Sequence, residues 1–225
     1  MTAARTPPKV PRPEPAPRVA SPAIGRLASA LAAGDPGASA AFWDGATSPI
    51  IEPDGDACIV TFLWRDAAAE QVLLFVNRLT DERDLSRSLM TRLPGTDVWH
   101  LAYRMAPDWR ASYTFVPKRA GERAPWLGAD DHVAIRAALD HGLSDPLNPA
   151  GCVNRAGRQQ SVVSLPRAPV QRWLAPRGVL RGSFSDSHLD GRLVRAYRPD
   201  EFVAGGPGVV VLDGDVWAGT QNLAV

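Results

Sequence analysis

Between Ala57 and Pro117 the sequence is a succession of short runs rich in β-branched and aromatic residues, each closed by turn chemistry. That grammar confines the region to paired strands, because such runs are too short and too evenly punctuated for helices. The first run, Ala57 to Trp64, ends at Arg65-Asp66. Val72 to Val76 follows after a short polar break and predicts an adjacent antiparallel strand. Leu93-Pro94-Gly95-Thr96-Asp97 is turn chemistry, and Val98 to Met105 comes next. In that strand Trp99, Leu101, Tyr103 and Met105 share one face, while His100 and Arg104 share the other. Pro107-Asp108 turns the chain, and Arg110 to Pro117 alternates again. Several short strands with few helices predict a β-sandwich with its core over residues 45–118, and Trp64, Trp99 and Tyr113 are assigned to that core.

The flanks read differently. Residues 1–21 are Pro-rich and too poor in apolar side chains to order themselves, so a disordered arm is expected. Pro22 opens a helix whose apolar positions are Ile24, Leu27, Ala28 and Leu31, with Gly34 as its stop. A second short helix is expected across Ser39 to Trp43, and a third near Asp131 to Leu139. Asp145-Pro146-Leu147-Asn148-Pro149 reads as a rigid turn that closes a first domain, residues 22–149. Residues 150–178 are polar with three spaced prolines and read as a linker. From residue 179 onward, Val179 to Ser185 and Leu193 to Tyr197 form an expected hairpin. Val209-Val210-Val211-Leu212 has no polar alternation, which suits a strand buried on both faces of a parallel sheet. Residues 179–225 are therefore expected to hold the start of a second domain whose sheet is incomplete.

Composition excludes several classes of partner. The 25 basic and 24 acidic residues nearly cancel, so no nucleic-acid or anionic-membrane surface is predicted. No segment approaches the roughly 18 apolar residues of a membrane helix, and the N-terminus lacks the apolar stretch of a secretory signal. Cys58 and Cys152 match no metal or redox spacing, and Cys58 lies in a strand pattern where a buried free thiol is expected. Their scarcity suits a cytoplasmic protein. Asp130-Asp131-His132 gives no metal set, since neighbours on a helix point apart. Gly205-Gly206-Pro207-Gly208 precedes a strand pattern, so it is a spacer and not a phosphate loop.

Four stretches, in order, carry a resemblance: Thr96-Asp97-Val98-Trp99, Trp109 to Pro117, Asp145 to Pro149, and Val211-Leu212-Asp213-Gly214-Asp215-Val216-Trp217-Ala218. Together they resemble the enterochelin esterase family. The resemblance implies a mainly β front part, an Ig-like sandwich with short flanking helices, followed by an α/β-hydrolase sheet that is incomplete in this chain. It implies cytoplasmic hydrolysis of the trilactone of a ferric catecholate siderophore such as enterobactin. No cofactor is expected; iron enters only as part of the substrate.

The chemistry of that family needs a serine in a Gly-x-Ser-x-Gly elbow, where a strained turn exposes the hydroxyl beside a base and oxyanion donors. Ser183 and Ser185, in Arg181-Gly182-Ser183-Phe184-Ser185, come nearest and lack the second glycine. No catalytic residue is therefore assigned, and the chain by itself is expected to be inactive. Backbone amides at Asp213, Gly214 and Asp215 match the oxyanion loop by position, although Asp-Gly is equally a favourable tight turn. Trp109 and Arg110, at a strand start, and Arg104 are the candidate substrate-binding residues, because arginine pairs with anionic oxygens. The alternative is a non-catalytic Ig-like module that binds a ligand or pairs with a separate hydrolase chain.

Overall fold

A computed structural model describes residues 16–82, 84–124, 132–172 and 181–212. Its centre is a pair of four-stranded antiparallel sheets. The strands are β1 (Ile50–Asp54), β2 (Ala57–Arg65), β3 (Ala69–Val76), β4 (Thr91–Arg92), β5 (Val98–Met105), β6 (Arg110–Arg119), β7 (Gly151–Val153) and β8 (Gln159–Ser164). One sheet has the order β1-β2-β5-β4 and the other β3-β6-β8-β7. A separate two-stranded hairpin joins β9 (Gly182–Leu189) to β10 (Arg192–Pro199). The protein is mainly β, as the strand grammar predicts.

Alternation places the core between the sheets. Val60 and Phe62 of β2, and Trp99, Leu101, Tyr103 and Met105 of β5, face Val72, Leu74 and Val76 of β3 and Tyr113 and Phe115 of β6. Phe62 meets Tyr113 edge-on, with ring centroids 4.9 Å apart. Each fully buried Val, Leu or Phe contributes about 1.5–3 kcal/mol relative to exposure. The opposite faces are covered by helices. Leu63 and Val98 pack under α1 (Pro22–Ala32) and α2 (Ala38–Asp44) through Ile24, Leu27 and Trp43. Leu73 and Phe75 pack under α3 (His132–Asp140) through Ile135 and Leu139. The two sheets are thus sandwiched in turn between helices. α1 starts where the sequence predicts, with the Ser21 hydroxyl accepting from the Ile24 N–H at 3.2 Å as N-cap.

The structure departs from the sequence reading in four places. First, β3 does not pair with β2 but crosses to the second sheet and pairs with β6. A short break permits either a hairpin or a crossover; here the crossover buries five successive residues, Val72 to Val76. The chain crosses again between β5 and β6. Second, residues 16–21 of the expected disordered arm are seated on the free edge of β5. The Val19 N–H donates to the Ala102 carbonyl at 3.1 Å, and the Arg104 N–H to the Pro17 carbonyl at 3.0 Å. Edge pairing of this kind uses backbone alone, so low apolar content does not prevent it. Third, residues 151–164 of the expected linker form β7 and β8, anchored by buried Val163 and Leu165. Fourth, Val209 to Leu212 are not in a strand, and Val209 and Val210 are 89% and 88% exposed. Among the described residues no neighbour offers them a ladder, and an apolar run without a ladder is not a strand.

The rigid turn at Asp145 to Pro149 is a polar clasp inside the sandwich. Tyr113 Oη donates to Asp145 at 2.8 Å and accepts from the Asn148 amide at 2.9 Å. The Asp145 N–H donates to Ser161 Oγ at 2.8 Å, and the Asn148 amide also donates to the Val162 carbonyl at 3.0 Å. Burial raises the Asp145 pKa above the usual carboxylate range, despite donors from Ser48, Leu147 and Tyr113. Burial, then the Asp145 charge, raises Tyr113 far above the usual phenol range. The motif therefore ties β6 and β8 to the loop between them.

Candidate ligand groove

At the end of the sandwich where β5 hands over to β6, the chain makes a tight crossover through Ala106, Pro107, Asp108 and Trp109. The Trp109 N–H donates to the Ala106 carbonyl at 3.3 Å and closes the turn. Beside it lies a groove of about 530 Å³. Its walls come from three parts of the sequence: the arm through Pro17, the β1–β2 turn through Asp56, and the segment after β8 through Arg167. Arg104, Met105, Pro107 and Asp108 supply the floor.

Each predicted binding residue lies at this end, in a different role. Arg104 is exposed and lines the groove, but two carboxylates hold it: Asp54 at 2.7 Å and Asp56 at 3.1 Å. The hydrogen bonds it donates to those carboxylates push its pKa above the usual arginine value. Arg110 is not in the groove wall. Its Nε donates to Ser164 Oγ at 2.7 Å and its Nη1 to the Pro169 carbonyl at 2.6 Å. Trp109 is half-buried and packs on the main core, and its carbonyl accepts from the Leu165 N–H at 3.0 Å. Trp109 and Arg110 thus hold the segment that follows β8.

That segment contains the residue sequence reasoning missed. Arg167 is exposed, its N–H donates to the Pro107 carbonyl at 2.8 Å, and one guanidinium nitrogen reaches the Asp56 carbonyl at 3.4 Å. No carboxylate pairs with it among the described residues. Pro166-Arg167 lies in a stretch read as linker, where the arginine is one of five and carries no periodic signal.

The remaining candidates divide simply. Asp213, Gly214 and Asp215 lie outside the described residues. Ser183 and Ser185 are exposed on one face of the β9–β10 hairpin, while Asp186 and His188 alternate to the other face. Asp186 is committed to Arg195 at 2.8 Å. The hairpin therefore builds no serine–histidine–acid arrangement. Trp99 and Tyr113 are buried in the core, and the Trp99 indole donates to the Asp66 carbonyl at 2.8 Å. Cys58 is buried and Cys152 exposed, both as free thiols. Among the described residues, no group of three metal-ligating side chains occurs, and no helix is long and apolar enough to cross a membrane.

Comparison with known proteins places this geometry in context. The family profile described as "Enterochelin esterase, N-terminal" matches residues 59–174, which covers β2 through β8 and the Arg167 segment. An iron(III) salmochelin esterase of Escherichia coli O6:H1 is 34% identical over 207 residues, covering 87% of this chain and 50% of the relative. An iron(III) enterobactin esterase of the same strain is 29% identical over 180 residues, covering 71% of this chain and 44% of the relative. The crystal structure of ferric enterobactin esterase from Salmonella typhimurium superposes with a TM-score of 0.57 at 25% identity, covering 83% of this chain and 53% of that one. The chain spans about half the length of the relatives it matches.

Proposed function

Because the chain belongs to the enterochelin esterase N-terminal family, we propose that it is the front portion of a cytoplasmic ferric-siderophore esterase. Its substrate is an iron-loaded catecholate trilactone of the enterobactin type, and iron enters as part of that substrate. The sandwich seats the siderophore, and ester hydrolysis proceeds through a serine acyl-enzyme formed on an α/β-hydrolase part. The observation that carries this reading is the groove at the β5–β6 crossover. Its floor and its Arg167 wall lie within the matched region, and it combines a cation, a carboxylate at Asp108 with no partner among the described residues, and apolar walls.

The chemistry divides accordingly. A polyanionic aryl complex needs arginine donors, apolar walls for its rings and a fixed orientation. The groove offers an arginine, Arg167, and apolar walls. Acyl transfer needs a nucleophile, a base and oxyanion donors. Of these, the sequence matches one by position, the Asp213-Gly214-Asp215 stretch as a candidate oxyanion loop, and an oxyanion donor alone transfers no acyl group. Hydrolysis of ferric enterobactin by the purified 225-residue chain, followed by chromatography of the released dihydroxybenzoyl-serine, is expected to stay at the uncatalysed background. Turnover that survives replacement of Ser183 and Ser185 would sink the proposal.

A second reading has one observation in its favour. The β9–β10 hairpin exposes Phe184, Leu193 and Tyr197 on one face, a surface suited to a non-catalytic module that pairs with a separate hydrolase chain. Co-purification of a chain carrying a Gly-x-Ser-x-Gly elbow, with activity only in the mixture, would favour that reading over the first.

A further inference from the structure

We infer that Arg167 is the groove's ligand-binding cation and that Arg110 acts through it as a positioning residue; this rests on the siderophore reading of the same groove. Three arginines cluster at this end of the sandwich, and their hydrogen bonds rank them. Arg104 has its charge offset by both Asp54 and Asp56, so bringing an anion to it means displacing a carboxylate. Arg110 has Nε and Nη1 committed to Ser164 and Pro169. Arg167 has one long contact to a carbonyl and no carboxylate partner among the described residues, so its fork of donors is open to the groove it lines.

The backbone around Arg167 is fixed on both sides. Leu165 is buried, and its N–H is held by the Trp109 carbonyl; the Arg167 N–H is held by Pro107. Two residues further on, Arg110 grips the Pro169 carbonyl. Arg110 thus closes a loop whose only groove-lining cation is Arg167, which explains why a charged residue at a strand start spends its donors on neutral acceptors. Asp108 lines the same groove with no partner among the described residues. The pair suits a ligand that presents anionic or carbonyl oxygens to Arg167 and an amide or hydroxyl donor to Asp108. An aryl ring bearing adjacent oxygens and an amide meets that demand, with Met105, Pro17 and Pro107 against the ring.

The test is a calorimetric titration of the full chain with two probes, ferric enterobactin and 2,3-dihydroxybenzoate, at two salt concentrations. Arg167→Ala is expected to weaken binding about tenfold or more, the loss of one charge-assisted contact, and to flatten the salt dependence. Arg167→Lys recovers part of the affinity and all of the salt dependence. Arg110→Ala weakens binding but keeps the wild-type salt slope, because the Arg167 charge remains. Arg158→Ala, the same charge change at the β7–β8 turn, leaves both unchanged. Circular dichroism and urea midpoints verify that each variant is folded. Wild-type affinity for both probes in Arg167→Ala overturns the inference and spares the siderophore reading. Arg167-dependent binding of dihydroxybenzoate with no response to ferric enterobactin keeps the site and overturns that reading. No response of the wild type to either probe overturns both.

Discussion

At Gly142 the smallest side chain is a packing requirement. A Cβ built there would lie 2.4 Å from Thr114 Oγ1, 2.7 Å from Thr114 Cβ and 3.2 Å from the Leu139 carbonyl. Thr114 is fully buried in β6, so it has no room to yield. Gly142→Ala is therefore expected to cost about 1–3 kcal/mol, as overpacking does, read from urea midpoints. Gly25 is the contrasting case, exposed in mid-α1 with nothing within 4 Å of a Cβ. Gly25→Ala is expected to stabilise by about 0.5–1 kcal/mol. Tyr113 predicts a pH effect. Its folded pKa lies above the unfolded phenol value of 10.0, so the neutral form is favoured by folding. The associated stability is present below that value and is lost as pH rises beyond it, once the unfolded chain ionises and the folded one resists. Midpoints measured from pH 8 to 11, a range chosen to bracket the ordinary phenol value, should fall for the wild type and fall less for Tyr113→Phe. The variant starts lower, because Asp145 and Asn148 each lose a partner. Residue-level features of this kind are invisible in sequence. Gly142 and Thr114 are 28 positions apart, and nothing in either name announces their contact.

Elements were legible where side chains alternate. Trp99, Leu101, Tyr103 and Met105 named their own buried face. Alternation states which face is covered but not which strand lies alongside, so the partner of β3 had to come from the structure. The arm and β8 were hidden for a related reason: their pairing is carried by backbone, with apolar signal only at Val163 and Leu165. A chain lacking residues 1–20 tests the arm directly. The Arg104 N–H loses its acceptor at Pro17, so its hydrogen exchange should accelerate while the amides of β5 paired to β2 keep their protection. Unchanged protection at Arg104 would mean the arm is not seated in solution. The groove was half legible. Arg104, Trp109 and Arg110 lie at the end of the sandwich where the groove opens, beside the Pro107-Asp108 turn that the sequence marks. Their division of labour was not, because it depends on Asp54, Asp56, Ser164 and Pro169, residues far away in sequence.

For the whole molecule, the crossings of the chain between sheets have a consequence for assembly. β2 waits for β5, β3 for β6, and β6 for β8; local hairpins complete only the margins. Such non-local pairing places folding of the sandwich in the slow range, about milliseconds to seconds, and stopped-flow refolding should show it. The strands are laced like a boot, each sheet drawn tight by segments that the other sheet interrupts. A cut in the chain between β3 and β4 would leave strands of both sheets in each fragment. Two complementary fragments of the sandwich should therefore be unable to fold separately, yet able to reconstitute a single body when mixed.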